Sequence, residues 1–427
     1  MKVLVISYYF PPYGGGPTTR IHNFVKHLPR HDVGLAILAA DPALYEQTYE
    51  DPALLGEYAR EMRIYRTNAF LGGYLRKQRN LGVALGGQAL PFWTLNRWKK
   101  FAKQLLLPDE YVLWVAKSLA PAIHAARIER ADLVLATAPP FSALFLASLV
   151  AWRTRKPLVL DYRDLWTPNR FYSAGPTARN LERRIVQQAS HIVVTNEPAR
   201  RVMMNVFHLP IQKISVIPNG FDGQMLEEIR RGARPSSEPF RINYIGSLTA
   251  RRTPEYFFAA IQQLREALPD LKLSVGIVGF AAPVHKQLAV RMNLADIVHF
   301  SPSVPQRRAL EIMCNESDLL VLLQRNSEGG DFAIPGKLYE YLGSGIPFIA
   351  MDESAGATAT FLQQIHAPAA VEYEDVSGIY KRLLGIVKNY ARAQSDFSAL
   401  RRSVSVYDRR QQAARLADIL TDEVHKK

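Results

Sequence analysis

At 427 residues the chain exceeds what one hydrophobic core usually supports, and about two to three domains are expected. Its 48% hydrophobic and 22% charged residues are those of an ordinary globular protein. The longest apolar run, ALFLASLVAW (143–152), falls short of the ~18 residues a spanning helix needs, so no integral membrane protein is expected. A net charge of +14 calls for a polyanionic partner or surface, and the single cysteine, Cys314, fits a reducing, cytoplasmic setting.

The chain opens on MKVLVISYYF, which lacks a small-residue cleavage site and reads as a first buried strand. Strands then recur at VLVIS (3–7), VGLAIL (33–38), RIYRT (63–67), DLVLATA (132–138), PLVLDYR (157–163), HIVVTN (191–196) and ISVIPN (214–219). They are rich in Val, Ile and Leu on both faces, as in a parallel sheet covered by helices on both sides. After Thr18 and Thr19, residues Ile21, Phe24, Val25 and Leu28 fall at helical spacing and make one apolar stripe. From Met62 through Pro108 there is no acidic residue, yet Arg63, Arg66, Arg76, Lys77, Arg79, Arg97, Lys99, Lys100 and Lys103 are interleaved with Tyr74, Phe92, Trp93, Trp98 and Phe101. That mixture suits either an interfacial segment on anionic headgroups, through 63–103, or a solvated basic face whose aromatics fill a core.

Residues 223–239 lose the strand pattern and gain charge, Pro and Ser, which marks an interdomain linker. The alternation then restarts with RINYIGSL (241–248) and a helix expected to have Thr253 as N-cap and Pro254 at its first position. LKLSVGIVG, IVHFS, DLLVLL, PFIAM and AAVEY supply further strands. The expected fold class is α/β, two Rossmann-like lobes with parallel sheets facing a central cleft. The lobes are read as 1–222 and 240–396. In 397–427, an amphipathic helix over 407–424 is expected to pack back on the first lobe.

Five stretches carry candidate chemistry. In SYYFPPYGGGPTTR (7–20) three glycines before a helix leave room for backbone N–H groups to face an anion, or simply make a flexible turn. DYRDLW (161–166) crowds Asp161, Arg163 and Asp164 at a strand's carboxyl end, as a ligand site or as a helix N-cap with a local Asp–Arg pair. IPNGFD (217–222) reads as a hinge turn. GSLTARRTPE (246–255) sets Arg251 and Arg252 before a helix, able to clamp a diphosphate. DFAIPGKLYEYLGSGIPFIAM (331–351) says most: Ile334, Pro335 and Gly336 open a helix N-terminus, Lys337 adds a cation, and Glu340 lies one turn deeper on nearly the same face. A phosphate end and a sugar end of a nucleotide are both provided for, with a surface Lys–Glu pair as the plainer reading.

The order of these pieces resembles the family 4 (group 1) retaining glycosyltransferases of GT-B fold. The matching stretches are KVLVISYYFPPYGGGPTTR, IPNGFD, YIGSLTARRTPEYFFAAI, PGKLYEYLGSGIPFIA and the closing SVYDRRQQAARL. LPDEYVLW (107–114) and DYRDLW also resemble a bacterial subgroup that builds cell-surface polysaccharides. The resemblance implies a UDP- or GDP-sugar donor, a glycan or lipid-linked acceptor and no cofactor; no His/Cys cluster suggests a metal, and the basic aromatic segment suggests a cytoplasmic protein whose lipid-linked acceptor lies at the inner face of the cytoplasmic membrane. It places Gly15 and Gly16 near the donor diphosphate or acceptor. Arg252 falls where a diphosphate-binding lysine commonly stands, and Ser247 where an arginine does. Arg251, Ile334, Pro335, Gly336, Lys337 and Leu338 complete the nucleotide-sugar set. Glu340 matches the second glutamate of a pair seven residues apart, implying a ribose contact. The first would fall at Phe332, with Asp331 adjacent as its substitute, and Asp164 stands in for a first-lobe histidine; both aspartates are candidate catalytic residues. A GT-B-type sugar-nucleotide epimerase and a non-catalytic nucleotide- or glycan-binding subunit are the alternatives. Nucleic-acid binding is not expected, because no helix-turn-helix, zinc or RNP-type pattern accompanies the charge.

Overall fold

The computed structural model describes residues 1–45, 50–58, 62–69, 107–169, 172, 175–229, 239–249, 252–324, 334–353 and 356–426. They form two compact units, Met1–Pro218 with Gln412–Lys427, and Asn219–Gln411. In the first unit the strands are β1 (Lys2–Ser7), β2 (Gly34–Ala40), β3 (Arg63–Thr67), β4 (Leu133–Ala138), β5 (Leu158–Tyr162), β6 (His191–Val194) and β7 (Ile214–Val216). All pair in parallel, in the order β3-β2-β1-β4-β5-β6-β7. The apolar stripe of the helix Gly16–His27 does what its spacing predicts. Ile21, Phe24, Val25 and Leu28 cover one face of the sheet against Val3, Val5, Ile37, Leu135 and Val159. Each such side chain contributes about 1.5–3 kcal/mol by leaving water. Ala413, Leu416, Ala417 and Leu420 of the closing helix Arg409–His425 join the same cluster. The first helix starts ahead of the threonine pair, with Gly15 as its N-cap and Pro17 in its first turn, where a fixed φ is already helical.

The second unit contains β8 (Phe240–Ile245), β9 (Leu273–Val278), β10 (Val298–Ser301), β11 (Leu319–Leu323), β12 (Phe348–Asp352) and β13 (Val371–Glu372). They too are parallel, ordered β10-β9-β8-β11-β12-β13. Phe257, Ile261 and Leu264 of the helix Glu255–Ala267 cover one face. Leu338, Tyr339 and Leu342 of the helix Gly336–Ser344 cover the other, against Ile245, Leu320 and Leu322. The former helix begins one residue later than its sequence suggests, with Pro254 at the N-cap, but Thr253 Oγ1 still accepts the Glu255 N–H at 3.3 Å. Within the stretch read as a linker, Gly223–Ile229 is a helix whose Leu226 and Ile229 are buried with the second unit's core, and 230–238 lie outside the described residues. Phe397 and Val404 belong to that core as well. In each unit the strand order reverses beside the first strand, between β1 and β4 and between β8 and β11. The crevice outside the carboxyl ends at such a reversal is where open α/β sheets bind ligands.

One buried acid deserves a test of its own. Glu182, fully buried on the helix Pro176–Gln188, accepts the Thr167 N–H at 2.9 Å. Its other oxygen faces the hydroxyls of Tyr162 and Thr167 without a hydrogen bond in place. Burial pushes its carboxyl up to about 7. Because the folded chain holds this proton more tightly than the unfolded one, stability contributed here is full below the ordinary carboxylate range and is lost as pH rises to about 7. Glu182→Gln is therefore expected to raise Tm at pH 8 and leave it nearly unchanged at pH 4; equal shifts at both pH values in a calorimetric scan would refute the buried-acid account.

Candidate functional site

In the second unit, β8 and β11 pair only at Ile242 and Asn243 before parting toward their carboxyl ends. The buried Tyr341 hydroxyl fills the gap, donating to Val321 O at 3.2 Å and accepting the Ile245 N–H at 3.4 Å. This anchors the helix Gly336–Ser344 with its N-terminus at the carboxyl edge. From there Lys337 Nζ reaches the Tyr244 phenol oxygen at 3.1 Å and lies 4.3 Å from the ring centroid. Arg252 Nη1 donates to the same oxygen at 3.4 Å, and its Nη2 to Gln324 Oε1 at 3.3 Å. The phenol hydrogen goes to Ser247 O at 3.1 Å.

Two cations thus converge on one neutral oxygen, and among the described residues neither has a carboxylate within ion-pair range. Burial lowers the Lys337 ammonium below the ordinary lysine range and Arg252 adds to this, while Tyr244 and Glu340 pull it back. Burial by itself would raise the Tyr244 phenol, but Lys337 and Arg252 outweigh it and bring it down. Both directions report the same thing, positive charge that an anion would relieve. Gly246, with φ +140°, makes the approach possible, since a Cβ there would lie 2.1 Å from Lys337 Nζ.

The sequence-derived residues divide around this point. Lys337, Arg252 and Ser247 are brought together. Gly336 is exposed at the helix start, with Pro335 as N-cap and Ile334 packed on the core beside it. Leu338 is a correction: its side chain is fully buried in the core and its N–H is taken by Pro335 O at 3.0 Å, so it offers a ligand nothing directly. Glu340 does not pair with Lys337, whose chain runs out to the sheet edge. Its Oε1 instead accepts from Arg409 Nη2 at 3.3 Å, and both side chains are largely buried. Arg251 and Asp331 lie outside the described residues. Tyr244, Gln324 and Arg409 were not legible as site residues; the only hint is a tyrosine two positions before the Gly246 turn.

In the first unit the turn after β1 presents Gly15 and Gly16 exposed, and their N–H groups bond to no described residue. Asp161, expected near Arg163, is held elsewhere. Arg20 of the first helix grips it through Nε at 3.0 Å and Nη2 at 2.9 Å, and Thr137 Oγ1 donates at 2.8 Å. Arg20 also donates to Ile217 O and Pro218 O, each at 2.8 Å, so this buried pair is architectural. Among the described residues Asp164 caps no α-helix, the next one being Pro176–Gln188. It keeps a solvent-facing edge and has no hydrogen-bond donor among the described residues, while burial raises its carboxyl above the usual range and Arg163 partly offsets that. Of the basic stretch 63–103, residues from 70 on lie outside the described ones. Arg66 is turned inward onto Ala40 O (3.0 Å) and Tyr45 (3.3 Å), and Arg63 reaches Glu129 at 3.5 Å. Among the described residues no group of three or more His, Cys, Asp or Glu could hold a metal ion, and no helix is long and apolar enough to cross a membrane.

Two parallel Rossmann-like units in one chain, each with its polar groups at a strand-order reversal, are the architecture of the GT-B class. Residues 15–220 match the glycosyl transferase 4-like domain, and residues 239–389 match glycosyl transferases group 1. The chain belongs to the glycosyltransferases that join these two domains in a GT-B fold. A D-inositol 3-phosphate glycosyltransferase of Nocardia farcinica is 25% identical over 244 residues, 51% of this chain and 52% of that protein, so the chain spans about half the length of that curated relative. Among solved structures, Anabaena HepE in complex with UDP is similar at TM-score 0.63 and 15% identity, covering 99% of this chain and 100% of that one. WaaG, a glycosyltransferase involved in lipopolysaccharide biosynthesis, is similar at TM-score 0.61 and 13% identity, with coverage of 99% and 100%.

Proposed function

We propose that this glycosyltransferase moves a sugar from a UDP- or GDP-sugar to an acceptor hydroxyl with retention of anomeric configuration, in the synthesis of a cell-surface polysaccharide or lipid-linked glycan. One observation carries the reading: Lys337 and Arg252 meet at Tyr244, without a carboxylate partner among the described residues, at the carboxyl edge beside a helix N-terminus. As the bond from the anomeric carbon to the diphosphate lengthens, negative charge grows on the leaving group. Cations already in place stabilise it with little reorganisation. Lys337, Arg252 and the helix N-terminus supply this charge without a metal in the proposed mechanism, and Arg251 is assigned to the same role from the sequence alone. Glu340, steadied by Arg409, takes the ribose hydroxyls through its remaining oxygen. Gly15 and Gly16 offer amides to the donor diphosphate or acceptor, and Asp164 and Asp331 are the carboxylates assigned to the reacting centre. The UDP bound to HepE supports the donor class, and the pathway of WaaG supports the product class.

Titration with a panel of nucleoside diphosphates is the direct test. One of them is expected to bind selectively and to raise Tm, by about 2.7 kcal/mol of added stability at a hundredfold excess over Kd. No binding by any of them would end the proposal. Glu340→Ala is expected to weaken donor binding about tenfold or more, the value of one lost charge-assisted hydrogen bond, with a smaller change in kcat; wild-type affinity in calorimetry would remove Glu340 from the site. The basic aromatic stretch 63–103 is proposed to meet an anionic membrane where a lipid-linked acceptor resides. The chain should then sediment with anionic vesicles at low salt and be released at high salt, and no sedimentation at low salt would dismiss the contact.

A further inference from the structure

Arg163 follows β5, and among the described residues its guanidinium donates to carbonyl oxygens alone. Its Nε donates to Ala138 O at 3.3 Å, its Nη2 to Pro139 O and its Nη1 to Pro17 O, while its own N–H also reaches Ala138 O at 2.9 Å. Ala138 ends β4 and Pro139 follows it, and Pro17 immediately follows the exposed Gly15–Gly16 turn after β1. These are the two turns that flank the strand-order reversal of the first sheet. The carboxylate two residues earlier, Asp161, accepts its hydrogen bonds from Arg20 and Thr137 and none from Arg163, which feels only its charge. Next in the chain stands Asp164, with no hydrogen-bond donor among the described residues.

We propose that Arg163 is a positioning residue for the transfer: one guanidinium clamps the β1 and β4 turns together and keeps its charge within electrostatic reach of the neighbouring Asp164. This rests on the reading that the Gly15–Gly16 turn and Asp164 serve the reacting sugar or its acceptor. A planar fork with several donors spans carbonyls on two separate turns, whereas a lysine ammonium is a point donor at the end of a flexible stem. Fixing those turns before the reaction removes reorganisation from the transition state. Among the described residues, the charged and titratable groups facing Arg163 are Asp164, Asp161, Arg20 and Tyr172, and those facing Asp164 are Arg163 and Tyr172. Burial raises the Asp164 carboxyl, and Arg163 is the cation that lowers it.

The test compares full-length wild type with Arg163→Gln and Arg163→Lys, by amide hydrogen exchange and by carboxylate NMR titration of Asp164. Both variants should speed exchange in the 15–19 and 141–143 turns. In Arg163→Gln the Asp164 titration should move up, since an adjacent cation is lost, and in Arg163→Lys it should stay near wild type. With a sugar nucleotide, kcat should fall roughly tenfold to a hundredfold in both variants with donor KM nearly constant, and the acid limb of kcat should rise only in Arg163→Gln. Unchanged exchange in both variants, or an unmoved Asp164 in Arg163→Gln, would overturn the proposal. Should Arg163→Gln not fold, Arg163→Lys decides by its exchange and its kcat. Failure of the transferase reading shows separately, as wild-type protein that turns over no sugar nucleotide, and the positioning role falls with it even if the exchange data show the clamp.

Discussion

Lys337→Ala is expected to lower kcat/KM for the sugar nucleotide roughly 10²–10³-fold, about 3–4 kcal/mol of transition-state stabilisation. The ammonium is held in place before any ligand arrives: the helix that carries it is pinned by Tyr341 between β8 and β11, and its tip rests on Tyr244. Removing it leaves Arg252 as the one described cation on that phenol. Binding of a nucleoside diphosphate should weaken strongly, and binding of the corresponding nucleoside should hardly change. The pH dependence has a definite sign. Burial depresses Lys337 below the ordinary lysine range, so donor affinity should decline on the alkaline side before a solvent lysine would lose its proton. Tyr244 opposes that depression, so Tyr244→Phe should move the alkaline limb to lower pH. Wild-type diphosphate affinity in Lys337→Ala would remove the cation pair from the donor site.

The sheets were legible because parallel strands covered on both faces read as continuous Val, Ile and Leu runs. Val3, Leu4, Val5 and Ile6 of β1 and the whole of β11 are inaccessible to solvent and contain no polar residue. The helix start at Gly336 was legible as well, because Pro, Gly and Lys between two apolar runs have few other uses. What escaped was every partner supplied from a distance. Tyr244 is 93 residues from Lys337, Arg409 is 69 from Glu340, and Asp161 is 141 from Arg20. On pattern alone Tyr244 is one more buried aromatic of a strand, and Arg409 one more polar residue at the start of an amphipathic helix. Local spacing also misled. Lys337 and Glu340 share a helix face, yet the sheet edge draws one outward and the closing segment takes the other. DYRDLW reads as a local Asp–Arg pair, but Asp161 had already been claimed by a helix from the start of the chain. Asp164 was already a candidate from the sequence; what the sequence could not show is that no described donor comes to it.

Gly246→Ala tests the cradle without removing a charged group. Its φ of +140° lies where L side chains rarely go, and an alanine there is expected to reduce stability by about 1–3 kcal/mol. The added methyl would fall 2.1 Å from Lys337 Nζ and 3.0 Å from its Cε. Those atoms are the far end of a flexible chain, so the ammonium swings aside and the collision itself adds little to unfolding. Diphosphate affinity should therefore drop nearly as far as in Lys337→Ala. In the double variant the two affinity losses should not add, because the second change displaces a group already gone, while the stability loss from φ persists. Gly279→Ala makes the contrast: its methyl would meet Gly246 O at 2.5 Å, a backbone atom that cannot step aside, so its stability loss should be the larger of the two. Additive affinity losses for Gly246→Ala and Lys337→Ala would show that the glycine acts on the ligand by some route other than the lysine, and the cradle as drawn would not stand.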